Sequence, residues 1–206
     1  MAQDTAARIL DAACDLIAAD GIDAVRIARV AQRAGASTSL VHHYFSTREE
    51  LLEQALIHSF ERAGDDRFGE GGAEAEGGGA AAPGAAALAE AIRESLPAPG
   101  EREREWVLWV ELWLRAVREP DLRPVANRLY ERYRNWLASL VSDGIAAGEF
   151  DADVDPAAVA ALAISMLDGA GVRAMLDDPG MGVDQARRHV AEALAPRLGV
   201  AVEALV

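Results

Sequence analysis

Thr38, Ser39, His42 and His43 stand in one short stretch, followed at once by Tyr44 and, a turn further on, by Arg48. Hydroxyl and imidazole groups are short hydrogen-bonding arms, suited to base edges in a DNA groove or to phosphate oxygens. Imidazoles also bind metal ions. Adjacent helical side chains diverge by about 100°, however, so His42 and His43 do not converge easily on one ion. The chain contains no Glu-x-x-His, no His-Glu-x-x-His and no Gly-x-Ser-x-Gly, which removes support for a helical-bundle enzyme. Its one cysteine, Cys14, excludes an internal disulfide and a four-cysteine zinc site. Neither a catalytic centre, a metal site nor a cofactor is expected.

The elements that must hold the polar cluster are helical. Residues 6–19 place Ile9, Leu10, Ala13, Leu16 and Ile17 at spacings of three and four, one apolar face, with Cys14 on that face as core filling. Asp20-Gly21 ends this helix, the glycine supplying a left-handed stop. A short helix through Ile27, Val30, Ala31 and Ala34 stops at Gly35. After a turn a third helix runs over residues 38–45, with Ser37 as its N-cap and Leu40, Val41 and Phe45 inward. Two short helices joined by a glycine-containing turn form the helix-turn-helix pattern, whose second helix enters the major groove. A fourth helix starts near Thr47 with Glu50 in capping-box order and carries Leu51, Leu52, Ala55, Leu56 and Phe60.

Charge agrees with this placement. The net charge is −14, against nucleic acid at first sight, and all 20 basic residues are arginine. Residues 24–48 nevertheless hold Arg26, Arg29, Arg33 and Arg48 and no acid, a cationic window on an anionic body. Arg26, Tyr44 and Arg48 flank the third helix where phosphates would lie; Arg29 and Arg33 also fit a solvated helix face.

Residues 69–87, GEGGAEAEGGGAAAPGAAA, read as a flexible loop, since no strand precedes them and no Gly-Lys-Ser/Thr follows to make a phosphate loop. Helical patterns return over residues 85–96, 101–118, 122–145, 156–176 and 184–198, with no convincing strand and no internal repeat. The fold class is all-α. Trp106, Trp109, Trp113, Tyr130, Tyr133 and Trp136 read either as ordinary core or as the wall of a pocket between helices. With Glu105, Glu111 or Asp168 nearby, their ring faces could hold a cation; a hydrophobic or aromatic small molecule fits them equally. Residues 156–176 are too apolar all round for a surface helix. They are a central helix or, with 184–198, a dimer interface.

No apolar signal segment opens the chain, and the longest apolar run, residues 156–167, ends at Asp168, short of the roughly 20 residues a membrane span needs. A soluble cytoplasmic protein, associated with the nucleoid and not with membrane, is expected.

The stretches Ile9-Leu10-Asp11-Ala12-Ala13 and Ile27 to Phe45, with the turn Gly35-Ala36-Ser37 and the ending His43-Tyr44-Phe45, followed by Arg48-Glu49-Glu50-Leu51-Leu52, resemble the TetR/AcrR family of transcriptional regulators. Trp109, Trp113, Arg118-Glu119-Pro120, Gly148-Glu149-Phe150, Asp155-Pro156 and Leu167-Asp168-Gly169 are similar to the C-terminal domain of its betaine-repressor (BetI-like) branch. This chain departs from the family's habit at Arg26, where Thr or Ser usually caps the second helix, at His42, commonly Tyr, and at Arg48, usually Lys.

The resemblance implies a three-helix DNA-binding head over residues 1–50 and a helical-bundle effector-binding and dimerisation domain over 51–206. It implies Arg26, Ser37, Thr38, Ser39, His42, His43, Tyr44 and Arg48 on DNA, and a ligand pocket from Trp106, Trp109, Trp113, Tyr133, Trp136 and Asp168. The expected partners are a palindromic operator, a small-molecule effector and a second copy joined through 156–176 and 184–198. The expected activity is repression relieved by the effector, with an activator or co-regulator as the alternative.

Overall fold

The computed structural model describes residues 2–68 and 84–206. Among the described residues it is helical, with no strand. Nine α-helices follow in order: α1 (Ala2–Asp20), α2 (Ile27–Arg33), α3 (Thr38–Tyr44), α4 (Arg48–Phe68), α5 (Ala85–Glu94), α6 (Glu101–Arg118), α7 (Arg123–Ala146), α8 (Pro156–Met175) and α9 (Val183–Leu198). Single 3-10 turns at Ile22–Ala24, Pro120–Leu122 and Val202–Leu205 complete the path. The expected loop 69–87 falls outside the described residues as far as position 83. Its last three residues are instead the first turn of α5, as their alanine composition favours.

Two compact units divide the chain: Met1–Gly69 with Arg104–Leu129, and Glu70–Glu103 with Tyr130–Val206. The division passes through α6 and α7.

In the first unit α1 is the hub, packing against α2 and α4, while α2 packs against α3. Ile9, Ala13 and Ile17 of α1 meet Val30, Val41, Phe45, Leu51, Leu52 and Leu56, and α6 adds Leu108, Leu112 and Ala116 to the same buried cluster. Cys14 lies inside it, its thiol donating to the Ala55 carbonyl at 3.1 Å. Burial pushes that thiol up to about 12 from 9.0. The folded thiol therefore stays neutral where the unfolded one ionises, so its stabilising contribution is complete below pH 9 and fades as pH rises from 9 toward 12. Cys14 is expected to react with a disulfide reagent at neutral pH only at the rate of opening of this unit; labelling in seconds in the native protein would contradict the placement.

Gly21 does end α1, with φ 79° but ψ 156°, so the chain leaves in an extended direction and not through the left-handed helical stop expected.

In the second unit α8 packs against α9, and α5 against α9 and the C-terminal 3-10 turn. Asp155 caps α8, accepting from the Ala157 and Ala158 amides at 3.0 and 3.2 Å, with Pro156 at the first helical position. The α5 N-terminus has no capping side chain of its own; Glu149 supplies one from afar, accepting from the Ala85 amide at 2.9 Å. α8 is long and apolar enough to cross a membrane on length and composition alone. This corrects the sequence reading, which ended the apolar run at Asp168: residues 169–175 continue it with one arginine. Val159, Ala160, Ala163, Ile164, Leu167, Ala170 and Gly171 are buried within the chain.

Candidate nucleic-acid interface

α2 and α3 are joined by a turn at Ala34–Ser37. The Ala36 amide donates back to the Ala31 carbonyl at 2.9 Å, and Gly35 takes φ 62°, where a side chain would be strained. Ser37 is the N-cap of α3, its Oγ accepting from the Leu40 amide at 3.1 Å and lying 2.9 Å from the Ser39 Oγ. Thr47 caps α4 by accepting from the Glu50 amide at 3.0 Å, while Glu50 reaches back to the Ser46 amide at 2.8 Å, one residue before the cap that a capping box would use.

At 100° per residue, Val41 and Phe45 turn inward and are buried. Thr38, His42, Ser39 and His43 occupy an outward arc of about 140°, and all four are exposed. Leu40 and Tyr44 lie at the margins, half-buried, with the Tyr44 ring edge-on to His43 at 5.3 Å between centroids. The seven-residue α3 therefore presents one uninterrupted polar face of hydroxyls and imidazoles.

The arginines around it do different work. Arg26 occupies the N-cap position of α2 and makes no side-chain cap; its guanidinium, exposed, donates to the Asp23 and Val25 carbonyls at 2.6 and 3.0 Å. Arg29 and Arg33 pair with Asp20 and Asp15 of α1 at 2.6 and 2.9 Å, so half the cations of the basic window are neutralised by the helix behind them.

Arg48 is half-buried, its Nε and Nη2 donating to the Val25 and Ile22 carbonyls at 2.8 and 2.6 Å and its Nη1 meeting Glu49 at 3.3 Å. The Glu49 carboxyl is held below its usual range by its own backbone amide and then by Arg48. Arg48 thus ties the start of α4 to the turn ahead of α2. Arg48→Gln is expected to lower the stability of this unit by about 1.5–3 kcal/mol, the scale of hydrogen bonds from a charged donor. It leaves the salt slope of DNA binding unchanged. A slope reduced by about one with no change in thermal stability would instead make it a phosphate contact.

The aromatic residues fall on both units. Trp106, Trp109 and Trp113 lie in the first, on α6. Trp109 meets Trp113 at 5.2 Å and Trp106 meets Trp113 edge-on at 6.4 Å between centroids; Trp109 leans on the buried cluster. Tyr133, Trp136 and Asp168 lie in the second. There Tyr133 stacks on Trp136 at 6.1 Å, and the Tyr130 hydroxyl donates to Asp168 at 2.7 Å. Tyr130, one of the six aromatics weighed as a possible pocket wall, thus meets Asp168 within the second unit. No group of His, Cys, Asp and Glu able to hold a metal ion occurs among the described residues.

An N-terminal helix-turn-helix with an exposed polar recognition face, followed by a helical C-terminal domain, defines a DNA-binding transcriptional regulator. Comparison with known proteins agrees. The model for bacterial regulatory proteins of the tetR family matches residues 9–55, and that for the C-terminal domain of BetI-type transcriptional repressors matches residues 84–199. The chain belongs to the tetR family, in its BetI-type branch.

The HTH-type transcriptional regulator BetI of Rhizobium meliloti is 30% identical over 176 residues, covering 85% of this chain and 80% of its own. BetI 1 of Chromohalobacter salexigens is 28% identical over 200 residues, 91% and 89%. Among solved structures, a transcriptional regulator from Saccharomonospora viridis in complex with choline superposes with TM-score 0.78 at 27% identity, covering 93% of this chain and 96% of that one. A TetR transcription regulator from Haloarcula marismortui superposes at 0.76, 27% identity, covering 95% and 99%.

Proposed function

We infer that the chain is a cytoplasmic homodimeric repressor that reads a palindromic operator with α3 and leaves it when a small molecule binds in its C-terminal half. The observation that carries this reading is the exposed arc of Thr38, Ser39, His42 and His43 on a capped helix following the glycine turn. In this reading residues 1–50 act as the DNA-reading domain and 51–206 as the effector and dimerisation domain. Thr38, Ser39, His42 and His43 meet bases, Arg26 and Tyr44 meet phosphates, and Ser37 and Arg48 position α3.

Dimerisation is supported by α8. Its outer side carries Ala158, Ala161, Ser165 and Gly169 exposed in a row that leads to Leu176, 74% exposed, with Val183 also exposed at the start of α9. Small residues let a second helix approach closely. Two heads then face half-sites roughly 34–36 Å apart, or a multiple of this.

The effector is a quaternary ammonium compound, the class the Saccharomonospora viridis protein holds as choline. Asp168 supports it: a carboxylate on the apolar α8, fixed by the Tyr130 hydroxyl, in the unit that also carries Tyr133 stacked on Trp136. A carboxylate and aromatic ring faces in one unit suit a cation that cannot donate hydrogen bonds. Titration with choline, read by tryptophan fluorescence and by release from operator DNA, tests this. Saturable quenching and release, both weakened by Asp168→Asn, are expected. Release by hydrophobic metabolites and not by choline would overturn the cationic reading while leaving the DNA reading intact.

A further inference from the structure

α1 carries Asp11 and Asp15, one helical turn apart and so on one face. Two carboxylates so spaced repel each other, yet each is met by arginine from another helix, and Asp11 by a histidine as well. Asp11 receives His58 at 3.1 Å and Arg62 at 2.8 Å, both from α4. Asp15 receives Arg33 from α2 at 2.9 Å through one oxygen and Arg104 from α6 at 2.7 Å through the other. Asp15 and Arg104 are half-buried, 34% and 23% exposed, and the Arg104 Nε is buried with no hydrogen-bond partner. The inner edge of the guanidinium is thus withdrawn from solvent, and its Nη2 is held by Asp15.

Arg33 closes the first helix of the helix-turn-helix. Arg104 is the first residue of α6 that belongs to the first unit, the three residues before it in the same helix belonging to the second. The two arginines do not pair with each other; Asp15 stands between them.

We propose that Asp15 is a positioning residue for operator binding, relaying the placement of α6 through α1 to α2 and so to the recognition helix. A continuous helix cannot shift along its axis without carrying Arg104, and a shift of Arg104 pulls on the carboxylate that holds Arg33. Asp11, with His58 and Arg62, holds α4 to the same helix, so α1 gathers α2, α4 and α6 by charge as well as by packing. The inference rests on the reading of α2 and α3 as the DNA-reading element.

Its test has two readouts, one of which needs no DNA. Amide hydrogen exchange is measured over residues 27–44 in the wild type, Arg104→Gln, Asp15→Asn and, as a control, Arg93→Gln, whose pairing with Glu90 and Glu94 lies in the other unit. Arg104→Gln and Asp15→Asn are expected to accelerate exchange in α2 and α3 about tenfold and to weaken operator binding by a similar factor. Arg33→Gln and Arg104→Gln are expected to be non-additive in operator affinity, and Arg104→Gln to add little in the Asp15→Asn background.

A purely structural role for Arg104 would confine faster exchange to α6 and its contacts on α1, and the two arginine variants would add. Either result overturns the relay. If the wild type binds no operator, the exchange readout still decides the relay, while the DNA reading fails separately.

Discussion

Thr38→Ala combined with His43→Ala is expected to abolish recognition of the operator while leaving the protein able to hold random DNA. The two residues stand at opposite edges of the outward arc of α3, Thr38 in its first turn and His43 in its last, both exposed. Neither makes the α3 cap, which is Ser37, or its buried packing, which is Val41 and Phe45, although His43 meets the Tyr44 ring edge-on. Each contact with a base edge is worth about 1–3 kcal/mol of discrimination, so the pair removes about 2–6 kcal/mol where the effects add. The electrostatic attraction that dominates non-specific binding survives, because neither substitution removes an arginine. Arg26→Ala should do the reverse, weakening operator and random DNA together and lowering the salt slope by about one. Anisotropy titrations on both DNAs at two salt concentrations separate these outcomes. Equal losses on both DNAs for the double variant would remove α3 from the role assigned to it.

The second large effect concerns folding of the C-terminal unit. Gly144, near the end of α7, lies directly under the ring of Phe150, which is buried after the turn at Gly148 and Glu149. A Cβ at 144 would overlap the ring itself, and the ring has no free end to swing aside. The same turn is held by the Glu149 amide donating to the Gly144 carbonyl at 2.9 Å and the Asp151 amide to the Leu198 carbonyl at 3.1 Å, while Glu149 caps α5. Displacing Phe150 therefore disturbs α5, α7 and α9 together. Gly144→Ala is expected to cost about 1–3 kcal/mol, the scale of overpacking. Phe150→Ala is expected to cost about 3–5 kcal/mol through the cavity it leaves. The double variant should cost clearly less than the sum, because the alanine at 144 then occupies space the ring has vacated. Urea denaturation of the four proteins checks this, and strict additivity would contradict the contact.

The head was legible from sequence because everything that defines it is local. The apolar spacings of α1 to α4, the Ser37 cap and the glycine turn all act within a few residues. Long-range partners were not legible. Nothing in the sequence pairs Arg33 with Asp15, or sends the Arg48 guanidinium to carbonyls 23 and 26 positions away. A cationic window thus reads as a free basic surface until the acids of α1 are placed behind it. For the same reason residues 104–129 could not be joined to the first unit: their apolar pattern shows which face is buried, and only the fold shows against what. The six aromatics read as one set by composition, whereas they divide between the two units, with Tyr130 and Asp168 paired across α7 and α8.

A nuclease footprint of the purified protein on the DNA flanking its own gene, taken at two salt concentrations, tests the central claim most directly. Protection of an inverted repeat with half-sites one or more helical turns apart, fading as salt rises, is the predicted result for a dimer whose α3 reads sequence. Protection spread evenly along the fragment, with no repeat at either salt, would contradict it.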